Sequence, residues 1–251
     1  MRAPPRDLPD DPGLQRTALV SERGPYVGRC HATPRRFARD ARLERLLREL
    51  ARGFGPQRWW PAETPFEVML GAVLTQNTAW TNVERALTSL RARTALTPAR
   101  LLALAEEELA ACIRSSGYYR AKARKLRALC TWYLEVGGLR TLARAPLARI
   151  RAELLEVWGV GPETADSILC YAAGRRVAVV DAYTRRVLAR HGFLDGELPY
   201  ETVRAWIEER LIASQGVHEE FHALCVRVGY QHCKPSPRCA SCAATAPPGL
   251  A

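Results

Sequence analysis

A glycine turn between two helix-like segments constrains the fold of this chain more than any other feature. The turn reads Val157-Trp158-Gly159-Val160-Gly161-Pro162, with apolar segments on both sides. Glycine permits a tight turn and close backbone approach to another molecule. Proline suits the first helical position because its missing N–H has no partner there. Free N–H groups at a helix start attract anions such as phosphate. The pattern therefore predicts a helix, a hairpin and a helix, with an anion site at the turn.

An aspartate, Asp181, follows a short apolar run downstream of this hairpin. Residues 177–180 are Val, Ala, Val and Val, a composition that favours β-structure. Helical patterns flank the run and no partner strand is evident, so we expect a buried turn or a helix start. Asp181 then lies at the edge of a core, where its surroundings tune its pKa.

Helical periodicity extends from Leu43 to the C-terminal region. One apolar stripe recurs at the spacing of an amphipathic helix, and comprises Phe66, Met69, Leu70, Val73 and Leu74. Similar stripes occur in residues 122–134 and 203–211, and no tandem repeat is evident. The sequence therefore predicts an all-α fold.

The charge of the chain favours polyanionic partners. Its 251 residues include 37 Lys and Arg against 26 Asp and Glu, a net charge of +11. This surplus indicates attraction and not specificity. No apolar run approaches the ~20 residues that span a bilayer, and the N-terminus lacks an apolar signal core. We expect a soluble, cytoplasmic monomer without membrane association, and we interpret residues 1–40 as a flexible basic tail.

Six of the eight cysteines fall into two groups. Cys112, Cys130 and Cys170 lie in helical patterns and are interpreted as core residues. Near the C-terminus, Cys233 is followed by Cys239 and Cys242 at close spacing. Such a cluster in a cytosolic chain indicates a metal before a disulfide.

The hairpin and the aspartate together resemble a known family. Gly159-Val160-Gly161 and Asp181 match the helix-hairpin-helix (HhH-GPD) DNA glycosylases, the endonuclease III superfamily, over roughly residues 55–242. The resemblance implies two helical lobes with a DNA-binding cleft. A glycosylase domain of residues 41–242 comprises a central lobe (about 63–173) and a second lobe (41–62 plus 182–230), with a tail at 243–251. Gly159, Val160 and Gly161 then contact damaged double-stranded DNA, with a monovalent cation at the hairpin.

One departure from the family decides the expected chemistry. Bifunctional members carry a Schiff-base lysine two residues after the second hairpin glycine, and this chain has Glu163 there. A carboxylate cannot form an imine with an abasic sugar. The resemblance therefore implies a monofunctional glycosylase in which Asp181 assists water.

Further matches assign residues to DNA and to the base. Gln76 matches a glutamine that enters the gap left by a flipped base. Residues 117–123 resemble a second wedge loop, in which Tyr118 props the strand open and Lys122 belongs to a basic helix face that contacts phosphate. In the branch that includes bacterial 3-methyladenine DNA glycosylase, aromatics and proline enclose the alkylated base. The matching residues are Trp59, Trp60, Pro61 and Trp80, and packing between the lobes is an equal interpretation of Trp59 and Trp60.

The cysteine cluster matches the family's iron–sulfur motif incompletely. Endonuclease III-like proteins end with four cysteines that hold a [4Fe–4S] cluster. Here the first gap is one residue short, and the expected fourth position is Pro248. Thiolate ligation normally uses four cysteines, and Cys225 is the nearest spare. Three interpretations remain open: a cluster completed by Cys225 or another ligand, a labile cluster, or a remnant without metal. Zinc, with His232, is a further alternative.

The sequence therefore predicts a monofunctional DNA N-glycosylase of base-excision repair that removes alkylated purines such as 3-methyladenine. One alternative is removal of oxidised pyrimidines with weak lyase activity, using an amine such as Lys122. Another is a non-catalytic DNA-binding protein. Asp166 is expected to cap its helix or face solvent, and three histidines are treated as structural: His191, His218 and His222.

Overall fold

The computed structural model describes residues 33–57 and 59–244. Most of the expected N-terminal tail and of the tail at 243–251 lies outside the described residues, as does Pro248. Within the described ranges, the helices lack the length and apolar character that a membrane span requires.

The described residues form twelve α-helices. These are α1 (Ala41–Phe54), α2 (Pro65–Leu74), α3 (Trp80–Arg93), α4 (Pro98–Ala103), α5 (Glu106–Cys112), α6 (Tyr119–Glu135), α7 (Gly138–Arg144), α8 (Leu147–Glu156), α9 (Pro162–Ser167), α10 (Ala182–Arg190), α11 (Tyr200–Arg210) and α12 (Gln215–Gln231). A π-helical turn, Ile168–Ala172, extends α9, and 3₁₀ turns occupy Arg114–Ser116 and Cys239–Ser241. Ala38 and Leu211 form an isolated antiparallel β-bridge.

Side-chain caps determine where several helices begin. Asp40 accepts a hydrogen bond from Leu43 N (2.9 Å) at the start of α1. Thr64 accepts one from Glu67 N (3.2 Å) at the start of α2, where Pro65 takes the first position. Such caps satisfy N–H groups that have no partner within the helix. The helix starts are therefore encoded locally.

The buried side chains form two separate cores. The first comprises residues between Trp60 and Val179 and fills the lobe built from α2 to α9. The second joins residues of α1 to those of α10, α11 and α12, and includes Leu47, Leu188 and Phe221. The predicted all-α fold with two helical lobes is therefore confirmed.

The segment 177–180 runs between the two cores in an extended conformation. Val177 and Val179 pack into the first core, whereas Ala178 and Val180 pack into the second. Successive side chains of an extended backbone point to opposite sides, so one segment serves both lobes. The expected buried turn or helix start is wrong. A helix cannot alternate side chains in this way, and the backbone N–H of Ala178 instead reaches Glu208 Oε1 (3.0 Å).

Helix α2 is buried on all sides and is not amphipathic as the stripe predicted. Every residue from Phe66 to Leu74 is buried, including those between the stripe positions. It packs against α3, α6 and the π-helical turn. A helix enclosed by other helices needs no polar face. Its one acidic residue, Glu67, is paired with Arg91.

Asp166 connects the lobes and does not face solvent as expected. Its side chain is completely buried and binds Arg151 through both carboxylate oxygens, at 2.7 and 3.0 Å. It also accepts a hydrogen bond from Tyr200 Oη (2.9 Å) on α11. Arg151 bridges further to Glu201 (2.6 Å). Because α8 and α9 belong to the first lobe and α11 to the second, this polar network links the two.

Candidate active site

A cleft of about 700 Å³ is lined by elements of both lobes. Its walls come from the loop between α2 and α3, from the hairpin, from the start of α10 and from the middle of α12. Its lining includes Trp59, Trp60, Gln76, Asn77, Trp80, Lys125, Glu163, Asp181 and His222. The hairpin and Asp181, which are far apart in sequence, therefore meet at one cavity.

The hairpin between α8 and α9 depends on Gly159. Its φ of +83° lies in the left-handed region, and an added Cβ would meet Lys125 Cγ at 2.4 Å. Gly161 has an ordinary extended backbone and open space around it. Val160 is buried in the first core, with 5% of its surface exposed. The side chain of Val160 is therefore not available for a DNA contact, and the prediction is limited to its backbone.

Gln76 is fully engaged by hydrogen bonds in this structure. Its Nε2 donates to Gly159 O (3.1 Å) and to Thr164 Oγ1 (3.0 Å). Its Oε1 accepts from Lys125 Nζ (2.6 Å). The side chain therefore ties the end of α2 to the hairpin. Its predicted entry into a DNA gap stays a prediction and requires these three bonds to open.

The residue beside it, Asn77, was missed by the sequence analysis. Asn77 is exposed at the cleft and holds a φ of +53°. Asparagine is among the few residues that tolerate this left-handed conformation. The signal in the sequence was its place between Gln76 and Thr78 directly after α2.

Asp181 is the N-cap of α10. Its Oδ1 accepts a hydrogen bond from Thr184 N (2.7 Å). Its Oδ2 lies 3.6 Å from His222 Nε2. Burial raises the pKa of Asp181, but contact with His222 and the bonds from Thr184 outweigh it and bring the pKa below its usual value. The cleft therefore presents an ionised carboxylate.

His222, which the sequence analysis treated as structural, lies beside Asp181 in the cleft. It lines the cleft from α12, with 5% of its surface exposed. Its Nδ1 lies 2.6 Å from Tyr171 Oη, and its Nε2 has no hydrogen-bond partner among the described residues. Nothing in the sequence placed His222 beside Asp181, because their proximity depends on how α10 and α12 pack.

Glu163 lies in the same cleft as Asp181. Its side chain is exposed at the cleft. Partial desolvation by the cleft walls and the charge of Asp181 raise the pKa of Glu163 to about 7, against the opposing effect of Arg185. Two neighbouring carboxylates are thus pushed towards different protonation states.

Three tryptophans form an aromatic cluster at the cleft. The ring centroids of Trp60 and Trp80 are 5.5 Å apart at an interplanar angle of 88°, and Trp59 lies about 6 Å from each. Trp60 also lies 5.2 Å from Tyr171. Pro61 is not among the residues that line the cavity, and its place in the base pocket stays a prediction.

The two residues predicted from the second wedge loop, Tyr118 and Lys122, lie in opposite environments. Tyr118 is 73% exposed, with a φ of +45°, so it is available to a partner. Lys122 is only 2% exposed, and its Nζ donates to Leu74 O (2.7 Å) and Ser116 O (2.6 Å). Its predicted DNA contact is therefore wrong. The side chain instead satisfies two buried carbonyl groups. Burial lowers the pKa of Lys122 to about 8, with a contribution from Lys125.

The cysteines near the C-terminus are the candidate ligands for an iron–sulfur cluster or zinc. Within the described ranges no group of three or more His, Cys, Asp or Glu side chains is placed to hold a metal ion. Cys225 is buried in the second core, against which Cys233 and Cys242 also pack, and its expected role as fourth ligand stays a prediction. Cys233 Sγ accepts a hydrogen bond from Arg190 (3.4 Å). Arg190 also binds the carbonyls of Lys234 and Pro235, and Arg186 binds that of Cys233.

Comparison with known proteins places this geometry in a family. Residues 70–211 match the model of the HhH-GPD superfamily base excision DNA repair proteins. A putative DNA repair glycosylase of Methanocaldococcus jannaschii is 40% identical over 192 residues, which are 75% of this chain and 87% of that protein.

Solved structures share the fold. H. pylori 3-methyladenine DNA glycosylase, bound to 1,N6-ethenoadenine, superimposes with a TM-score of 0.66 and 29% identity, over 76% of this chain and 97% of that one. A trapped endonuclease III–DNA covalent intermediate gives a TM-score of 0.66 and 30% identity, over 78% and 89%. The chain belongs to the HhH-GPD superfamily of base excision DNA repair proteins, and its family activity is that of a DNA glycosylase.

Proposed function

We propose that the protein is a monofunctional DNA N-glycosylase that removes alkylated purines, such as 3-methyladenine, from double-stranded DNA. The observation that carries the proposal is that a tryptophan cluster and an ionised Asp181 line one cleft. The similarity to 3-methyladenine DNA glycosylase of H. pylori supports the same class of substrate.

The aromatic cluster suits a cationic base. Trp59, Trp60 and Trp80 present electron-rich rings at the cleft. Such rings attract a cation and stack with a flipped base. An alkylated purine such as 3-methyladenine carries positive charge in DNA and becomes neutral when it leaves. Its departure therefore needs little help from a general acid.

Asp181 supplies the complementary electrostatics. As the glycosidic bond breaks, positive charge develops on the sugar, and a nearby carboxylate stabilises it. Thr184 N holds Oδ1. Each carboxylate oxygen can accept more than one hydrogen bond, so Asp181 keeps acceptor capacity to stabilise the sugar or to orient water. Glu163 cannot form an imine with the abasic sugar, so cleavage of the strand is left to another enzyme.

DNA contact is assigned to the rim of the cleft. The exposed Tyr118 and Asn77 suit insertion into the duplex, and the hairpin backbone at Gly161 is open to a phosphate. Gln76 and Asn77 are the two candidates for the gap left by the flipped base. The monovalent cation at the hairpin and the monomeric state stay predictions.

Release of labelled bases from methylated duplex DNA tests the proposal. We expect 3-methyladenine to appear in the soluble fraction, with strand breaks only after alkali. Asp181→Asn is expected to abolish release while DNA affinity stays within about threefold, since one carboxylate removed from the site barely alters phosphate contacts. Release of oxidised pyrimidines in place of alkylated purines would contradict the assigned substrate.

Weak lyase activity is the second candidate, and one observation bears on it. Lys122, the amine considered from the sequence, is buried against two carbonyls, whereas Lys125 lines the cleft. Borohydride trapping on abasic-site DNA distinguishes the candidates. A trapped adduct that disappears in Lys125→Met would support the lyase. Intact DNA binding with no base release from any damaged duplex would support the non-catalytic binder.

A further inference from the structure

We propose that His222, held by Tyr171, is a positioning residue that orients Asp181 and keeps its carboxylate ionised. The inference rests on the proposed catalytic role of Asp181. It adds a residue on a different helix, α12, and a second residue on the π-helical turn. Together they form a chain of contacts from the aromatic cluster to the carboxylate.

The geometry of His222 leaves it one available polar partner. Its Nδ1 is fixed by Tyr171 Oη at 2.6 Å. Its Nε2 is buried, has no hydrogen bond among the described residues and lies 3.6 Å from Asp181 Oδ2. A buried polar atom without a partner is costly. Catalytic hydrogen bonds are often long before substrate binds and shorten in the complex. A movement of less than 1 Å brings Nε2 to bonding distance.

Asp181 is oriented from two sides in this arrangement. Thr184 N holds Oδ1 from the first turn of α10, and His222 approaches Oδ2 from α12. Fixing both oxygens prevents rotation of the carboxylate, which preorganises it for the developing positive charge. Tyr171 in turn packs against Trp60 at 5.2 Å, so occupation of the aromatic cluster by a base bears on the same chain of contacts.

His222 also offsets the effect of burial, which favours the neutral form of Asp181. Burial disfavours the ionised form, and His222 is first among the groups that lower the Asp181 pKa. The groups that face this pair come from four elements. Glu163 on α9, Tyr171 on the π-helical turn, Thr184 on α10 and Cys225 on α12 act on the pair directly. Further charged or titratable groups act on these neighbours: Arg185 on Glu163, and Cys170, Glu219 and Glu220 on Tyr171.

Carbon-13 NMR of the carboxyl groups tests the inference without any substrate. The Asp181 resonance is identified by its loss in Asp181→Asn, and its titration midpoint is followed with pH. We expect the midpoint to rise by about one pH unit in His222→Leu, because a partner that favours the ionised form is removed. His222→Gln, which still donates a hydrogen bond but carries no charge, should give a smaller rise.

His218→Leu is the matched control. His218 is a buried histidine one turn earlier on α12, and its Nδ1 bonds Ser214 O (2.8 Å) and not Asp181. Its replacement is expected to lower stability but to leave the Asp181 midpoint unchanged. If His222→Leu does not fold, Tyr171→Phe keeps the ring and frees Nδ1, and the midpoint should rise by a few tenths of a unit. An unchanged midpoint in the folded variants overturns the inference.

Kinetics then separate this inference from the proposed substrate. With any base that the wild type releases, His222→Leu should slow single-turnover release at least about tenfold. The acid limb of its pH–rate profile should move to higher pH, since Asp181 then requires a higher pH to ionise. A slower reaction with an unshifted limb overturns the inference. Failure of the wild type to release alkylated purines contradicts the proposed function alone, because the NMR midpoints still decide the role of His222.

Discussion

At the scale of single residues, Glu163 is the position at which we expect lyase chemistry to be decided. It lies in the cleft with Asp181, and the sequence resemblance gives its place to a lyase lysine. We expect Glu163→Lys to gain a borohydride-trapped adduct with abasic-site DNA, because an amine there can form an imine. Glu163→Gln, of similar size but without an amine, should give none. Equal trapping in wild type and Glu163→Lys would show that another amine, such as Lys125, is the nucleophile.

A second prediction at this scale concerns the contribution of the buried Lys122 to stability. Lys122→Met leaves Leu74 O and Ser116 O buried without a donor, so the free energy of unfolding should fall by about 1–3 kcal/mol. DNA affinity of the folded variant should not change. Arg120 is exposed two residues earlier, and Arg120→Met should weaken DNA binding with little loss of stability. Denaturant unfolding and DNA titration check both. If Lys122→Met has normal stability but binds DNA more weakly, Lys122 contacts DNA phosphate as the sequence predicted.

At the scale of elements, the hairpin offers a matched pair of glycines. Gly159→Ala forces a side chain into the left-handed region and against Lys125, whereas Gly161→Ala meets neither problem. We expect losses of about 1–3 kcal/mol in the free energy of unfolding for Gly159→Ala and under about 0.5 kcal/mol for Gly161→Ala. Adding Lys125→Ala to Gly159→Ala should recover the part due to the clash. Equal losses for the two glycine variants would contradict this account.

The segment after α12 is an element held by arginines. Arg186 and Arg190 of α10 bind backbone carbonyls of residues 233–235. We therefore expect a chelator to leave the thermal transition unchanged. Arg190→Gln should lower the transition by several degrees, because charged hydrogen bonds to carbonyls are lost. Loss of the transition on chelation, with release of iron or zinc, would show that a metal holds this segment.

Local signals in the sequence predicted the elements better than the contacts between them. The glycine hairpin and the all-α fold were predictable, because turns and helix periodicity report on their own surroundings. The burial of Lys122 and Asp166 was not. Each is buried because a partner from another element satisfies it, and no spacing along the chain records that partner. His222 was missed for the same reason.

At the scale of the whole molecule, the network around Asp166 joins the lobes. Tyr200 Oη donates to Asp166 and accepts from Val180 N (3.4 Å). Tyr200→Phe removes both bonds, so we expect the free energy of unfolding to fall by about 1–3 kcal/mol. Tyr118→Phe is the control, because its hydroxyl is at the exposed rim. Differential scanning calorimetry provides the measurement. An unchanged transition in Tyr200→Phe would show that Arg151 alone suffices.

The effect of an insertion in segment 177–180 depends on whether the number of added residues is odd or even. Its residues serve the two cores in turn, so inserting one residue exchanges the core that each side chain enters. Inserting two restores the alternation but shifts Asp181 along the chain by about 6–7 Å relative to the hairpin. A change of either length therefore damages the packing or the site. The length of segment 177–180 therefore sets the distance between the hairpin and Asp181. We expect natural variation in length to be confined to loops outside it.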